Sequence, residues 1–134
     1  MSFVIRFDNG YWDHPGGTLE PGELYLDAVR RELSEEAGAE LRSFTPFGVF
    51  ICHSHRTEAY RPHLPHPDFI HLIGYAEVDL THKPTNPPDG EKVVEVRLIK
   101  PSEARSLFGG RSEDGGAWMA EMYELAALLR DSAK

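Results

Sequence analysis

With one cysteine in 134 residues, the chain cannot close an internal disulfide, so a reducing compartment, the cytoplasm, is its expected location. That residue, Cys52, stands beside Phe50 and Ile51 and reads as a small buried hydrophobe. Long apolar runs are lacking too, and none approaches the roughly 18 residues of a membrane span. The start, Met1-Ser2-Phe3-Val4-Ile5-Arg6-Phe7-Asp8, has neither the basic head nor the apolar stretch of a secretory signal. Positive charge is scarce: 14 Lys and Arg against 22 Asp and Glu leave a net charge of −8. That balance repels phosphate polymers and anionic lipids, so neither nucleic acid nor membrane is an expected partner. A small polyphosphate stays compatible when a divalent cation stands between the two sets of anions. Repeats and low-complexity segments are absent as well.

What is present suffices for a core, with 40% hydrophobic and 27% charged residues. The length fits a single domain over residues 1–134. Residues 3–7 read as a strand, Asp8-Asn9-Gly10 as a hairpin turn, and Tyr11-Trp12 as a return strand ending at Pro15-Gly16-Gly17. A helix is predicted from near Pro21 to Ala37 with Gly38 as its stop. Its Leu26, Val29, Leu33 and Ala37 share one side. Phe47, Val49 and Ile51 alternate as a strand should, and residues 53–68 form a polar loop with prolines. Further strands are predicted over 69–80 and 94–98, with a Pro/Asn/Gly-rich loop over 81–90 between them. Pro101-Ser102-Glu103 opens a short helix, 109–116 reads as mobile, and 117–130 as an amphipathic terminal helix. This order predicts an α/β or α+β sandwich.

The informative segment is residues 17–39, GTLEPGELYLDAVRRELSEEAGA. It sets Glu32, Glu35 and Glu36 at i, i+3 and i+4, on one helical face. Like charges at that spacing destabilise a helix by a few tenths of a kcal/mol per pair. A hard divalent cation reverses the penalty, and Mg²⁺ or Mn²⁺ suits oxygen ligands shared with substrate phosphates. Such an ion polarises a phosphoryl oxygen and activates water. The Gly16-Gly17 turn permits close backbone approach, so a carbonyl there can also face the metal.

The segment resembles the Nudix box, G-x5-E-x7-R-E-U-x-E-E-x-G-U, where U is a bulky aliphatic. Gly17, Glu23, Arg31, Glu32, Leu33, Glu35, Glu36 and Gly38 match, and Ala39 stands where the family usually has Ile, Leu or Val. The fixed letters coincide by chance on the order of once per 10⁸ positions. Upstream, Trp12-Asp13-His14-Pro15-Gly16-Gly17 is similar to the family's W-x-L-P-G-G lead-in, with His14 replacing an aliphatic. The resemblance implies a Nudix-like α/β/α sandwich with a mixed β-sheet, and a Mg²⁺-dependent pyrophosphohydrolase with Mn²⁺ as a substitute. The substrate is a nucleoside diphosphate linked to X, such as a nucleotide sugar or a nucleoside triphosphate. The products are a nucleoside monophosphate and phospho-X. By the same resemblance Glu35 and Glu36 are the principal metal ligands, Glu32 is a ligand or the general base, and Gly16 contributes its carbonyl. Glu23 and Arg31 form a supporting ion pair. A late carboxylate is often added, for which Glu91 at a loop edge is preferred over Glu95 within a strand.

In the loop over 53–68, Arg56 and Arg61 beside Tyr60 form a candidate clamp for a phosphate and a stacked base or sugar. Trp12 is a candidate for substrate stacking, weighed against a place in the core. Irregular spacing and the lack of partner cysteines argue against zinc at His53, His55, His63 and His66. The markers of the ADP-ribose and diadenosine subgroups are a downstream Pro or Tyr; His55-Arg56-Thr57 stands at that offset, so neither is present.

Two rival readings lie within the fold: a sensor module that binds a nucleotide or sugar without cutting it, and a pyrophosphate-retaining isomerase. Both typically alter the box that is intact here. Only 16 residues precede Gly17, fewer than the family normally shows, and its usual first strand is expected to be missing. A late start or an edge left open for pairing would account for that, so monomer and homodimer are both carried forward.

Overall fold

A computed structural model describes residues 2–87, 90–109 and 116–132. Strand β1 (Ser2–Phe7) lies at the centre of a sheet, between β2 (Trp12–Asp13) and β5 (Val93–Ile99). A strand's side chains alternate between faces, and β1 uses both. Val4 enters a cluster with Ile99, Ala104, Phe108, Met119 and Ala120, whereas Ile5 and Phe7 meet Leu33, Ala37, Ala39 and Val93. One face is thus covered by α2 (Ala104–Phe108) and α3 (Gly116–Ser132), the other by α1 (Tyr25–Ala37). That is the layered α/β arrangement expected. Val4 and Ile5 are fully buried, which stabilises the fold by about 1.5–3 kcal/mol for each side chain.

The second sheet is the antiparallel pair β3 (Ala39–His53) and β4 (Asp68–Leu80). Its near end reaches the α1 core through Leu41, Ala76 and Val78. The sheet expected to be mixed differs in one detail: every strand pairing among the described residues is antiparallel. A parallel pair needs a crossover between neighbouring strands, and here β1–β2 and β3–β4 are joined as hairpins. Strand β3 is far longer than the 47–51 stretch whose alternation is visible. Irregularities between Leu41 and Ser43 and between Pro46 and Gly48 interrupt its period-2 pattern.

Helix α1 begins later than the pattern predicts. The Glu23 N–H donates to the Glu20 carbonyl at 3.0 Å, and Gly22 has φ +74°. Glu20-Pro21-Gly22-Glu23 therefore makes a turn with proline and glycine at its centre, not a first helical turn. The helix ends at Gly38, whose φ of +63° is left-handed. The segment after β4 seals this end: Thr81 and His82 N–H donate to the Gly38 carbonyl, and Asn86 N–H to that of Glu35 at 3.0 Å. A side chain at Gly38 would strike the His82 carbonyl. Most of the stretch read as mobile, 109–116, lies outside the described residues. No helix among the described residues is long and apolar enough to cross a membrane.

Candidate active site

The loop over 14–24 folds across α1, and Arg31 pins it there. Its Nε donates to Glu23 Oε2 and its Nη2 to Glu23 Oε1, each at 2.9 Å, while Nη2 also reaches the Thr18 carbonyl at 3.0 Å. Its Nη1 donates to Glu32 Oε1 at 2.9 Å and to Glu35 Oε2 at 3.3 Å. One planar guanidinium thus ties the loop to two glutamates on the helix, a task that needs its rigid fork. The hydrogen bonds from Arg31, with help from the Glu20 N–H, hold the Glu23 carboxyl down at about 2. The same pairing raises the Arg31 pKa above its ordinary value.

Glu36 sits one helical step from Glu32 and turns to the loop, where its Oε1 accepts the Gly16 N–H at 2.8 Å. Burial is the largest influence on it. The Gly16 N–H opposes that influence, while the charges of Glu32, Asp13 and Glu35 add to it, and the carboxyl is pushed up to about 8. Burial also raises Glu32, against the pull of Arg31. A side chain on Gly17 would overlap the Glu32 carboxylate and push it from its present place.

A group whose folded pKa is raised holds a proton that the unfolded chain has released. The contribution of Glu36 to stability is therefore full below about 4.5 and is lost as pH rises to about 8. In EDTA the thermal midpoint is expected to fall by several degrees from about pH 6 to about pH 9. A level profile over that range would show that Glu36 is not buried as described.

The family model described as NUDIX domain matches residues 3–125. The chain belongs to the Nudix family. A curated isopentenyl-diphosphate Delta-isomerase of Nocardia farcinica (strain IFM 10152) is 30% identical over 132 residues, covering 98% of this chain and 68% of that protein. A transient receptor potential cation channel subfamily M member-like 2 of Nematostella vectensis is 47% identical over 38 residues, which are 28% of this chain and 2% of that protein. The crystal structure of a MutT protein from Bacillus halodurans superposes with a TM-score of 0.55 at 19% identity, covering 89% of this chain and 71% of that one. It shares the fold. The chain is accordingly a member of the Nudix hydrolase superfamily, whose proteins generally use divalent cations and act on nucleotide derivatives.

The box residues come together around Arg31 and the Gly16-Gly17 loop, but not as a ready-made ion cage. Among the described residues, no group of three or more His, Cys, Asp or Glu side chains is gathered closely enough to hold a metal. The physical reason is visible: the repulsion among the glutamates is relieved by Arg31 on Glu32 and Glu35 and by the raised pKa of Glu36. The donor set still fits a hard divalent cation, being carboxylate oxygens beside a glycine turn.

Other expected positions lie elsewhere. Glu91 is exposed and, among the described residues, makes no hydrogen bond or ion pair with the box glutamates. Glu95 lies across Arg6 from Trp12 in the sheet and pairs with Arg6 at 3.2 Å and Arg97 at 2.9 Å. The Arg6 and Arg97 guanidinium groups lie over the Trp12 ring, 5.7 and 4.5 Å from its centre, and Trp12 packs on the α2–α3 core. This gives Trp12 a packing role. Arg56 and Arg61 flank the exposed Tyr60 ring at 5.9 and 5.3 Å. Their loop is fastened to the Nudix loop where His63 Nε2 donates to the Leu19 carbonyl at 2.6 Å. Cys52 is half-buried on β3.

Three neighbours escaped the sequence reading. Asp13 adds negative charge near Glu36. His14 and Trp118 meet edge to face with ring centres 5.6 Å apart, beside the glycine turn. Only the W-D-H-P-G-G lead-in hinted at the first two, and nothing local marks a tryptophan a hundred residues downstream.

Proposed function

We propose that this protein is a Mg²⁺-dependent pyrophosphohydrolase, with Mn²⁺ as a substitute, that splits a nucleoside diphosphate linked to X into a nucleoside monophosphate and phospho-X. The observation that carries the reading is the convergence of Glu32 and Glu36 from one helix on the Gly17 and Gly16 backbone. Glu32, Glu35, Glu36 and the Gly16 carbonyl would hold the ion, which supplies charge neutralisation and Lewis acidity toward the phosphoryl group when bound. Arg31 and Glu23 keep the loop seated on the helix so that backbone and carboxylates stay in register. Burial and the neighbouring carboxylates push the Glu36 carboxyl up in the ion-free site, so binding of the cation would release its proton. Arg56, Arg61 and Tyr60 would receive the phosphate and the base or sugar, their loop being fastened beside the box by His63. The whole chain is read as one cytoplasmic domain.

Sequence similarity to an isopentenyl-diphosphate Delta-isomerase favours a second reading, an isomerase that keeps its substrate's diphosphate intact. The unbroken box glutamates favour hydrolysis. A panel of nucleoside triphosphates, nucleotide sugars, ADP-ribose and dinucleotides, with Mg²⁺ and with Mn²⁺, decides between them. Phosphatase-coupled phosphate release is expected from at least one compound. If none is cleaved while isopentenyl diphosphate is rearranged, the hydrolase reading is wrong.

A further inference from the structure

The Pro15–Gly16 peptide is held at both of its polar ends. Its carbonyl accepts a hydrogen bond from His14 Nδ1 at 2.9 Å, and its N–H donates to Glu36 Oε1 at 2.8 Å. A trans peptide is planar, with its C=O and N–H pointing in opposite directions. Gripping the carbonyl on one side therefore sets where the N–H points on the other. We propose that His14 is a positioning residue: by holding the Pro15 carbonyl it fixes the tilt of the Pro15–Gly16 peptide and aims the Gly16 N–H at Glu36. The functional consequence rests on the reading of Glu36 as a working carboxylate.

The imidazole is itself braced. Trp118 of α3 meets it at 71° with centroids 5.6 Å apart, and Trp118 in turn meets Phe50 of β3 at 79° and 5.1 Å. Asp13 Oδ1 accepts the His14 backbone N–H at 2.8 Å and lies 3.7 Å from Nε2. The ring lies beside the turn, where a Cβ on Gly16 would make ordinary contact with His14 Cε1 at 3.5 Å. Because a carbonyl only accepts, Nδ1 must carry a hydrogen in this arrangement. Through these contacts α3 and β3 help to set the pose of the Gly16 amide.

Two variants separate the donor from its bulk. His14→Leu keeps an apolar body against Trp118 and loses the N–H, whereas His14→Asn keeps an N–H near the place of Nδ1. The first readout needs no metal or substrate: exchange of the Gly16 amide proton, followed by NMR on labelled protein in EDTA. Exchange is expected to quicken about tenfold in His14→Leu and to stay near wild type in His14→Asn. The second readout is turnover of whichever compound the wild type cleaves. His14→Leu should lower kcat about tenfold with KM changed less than about twofold, and His14→Asn should recover most of the loss. Wild-type exchange at Gly16 in His14→Leu would overturn the proposal. So would an Asn variant as impaired as the Leu variant at an unchanged melting temperature, because the donor would then be irrelevant. Should the wild type cleave nothing, the hydrolase reading falls, yet Gly16 exchange still decides the positioning role.

Discussion

Replacing Glu36 with Gln should lower turnover by roughly 10²–10³-fold while making the protein more stable at alkaline pH. The two effects have opposite signs because one carboxylate serves opposite ends. As an anion it is the most favourable oxygen donor for a hard cation, and an amide oxygen is a weak substitute. As a buried group among Glu32, Asp13 and Glu35 it resists ionisation up to about 8. Gln is nearly isosteric, can still accept the Gly16 N–H, and never ionises. The decline in thermal midpoint above neutral pH should therefore flatten in the Glu36→Gln variant. Circular dichroism melts in EDTA and initial rates with Mg²⁺ check the two halves. Full activity in the variant would mean that the roles are assigned to the wrong glutamate.

Arg31→Lys is expected to destabilise the fold by about 2 kcal/mol and to lower turnover by about 10- to 100-fold. A lysine ammonium is a single point of charge with three donors. It cannot meet both oxygens of Glu23, the Thr18 carbonyl, Glu32 and Glu35 at once, as the guanidinium does. The energy is set below that of a fully buried ion pair because about a quarter of the Arg31 side chain remains exposed. The acid limb carries a separate signature. Glu23 is lowered to about 2, so its contribution is present above about 4.5 and is lost as pH falls to about 2. With lysine in place, acid unfolding should begin at higher pH. If acid and urea melts of Arg31→Lys overlay those of the wild type, the guanidinium is not what seats the loop.

The box could be read directly because its information is local: residue types at fixed offsets on one helix, where spacing alone places the carboxylates. The same holds for the end of α1 at Gly38. Its beginning is ambiguous in the sequence because Pro21 is as good at the centre of a turn as at the start of a helix, and Gly22 decides for the turn. Strand β3 was half hidden since irregular pairing near Ser43 and Phe47 shifts the alternation that marks a strand. The brace on His14 was out of reach for a different reason. Trp118 arrives there only because α3 packs over β1, and that packing depends on Val4, Phe108 and Met119 meeting in one core. Arg31 shows a subtler limit: its pairing with Glu23 was expected, but its grip on Glu32 and Glu35 makes the arginine the neighbour of the very oxygens assigned to a cation.

The β3–β4 ribbon outreaches its helix. Strand β3 has 15 residues and spans about 50 Å, whereas the 13 residues of α1 cover about 20 Å. Beyond the helix the facing pairs Val49–Leu72 and Ile51–Ile70 point to one side, and Ile51 is 86% exposed. Solubility then becomes a contest between greasy ribbon tips and the mutual repulsion of molecules bearing a charge of −8. Dilute buffer keeps the repulsion long-ranged, and added electrolyte shortens its reach to a few ångströms. Concentrated stocks should accordingly cloud as ionic strength rises, with the enzyme still folded.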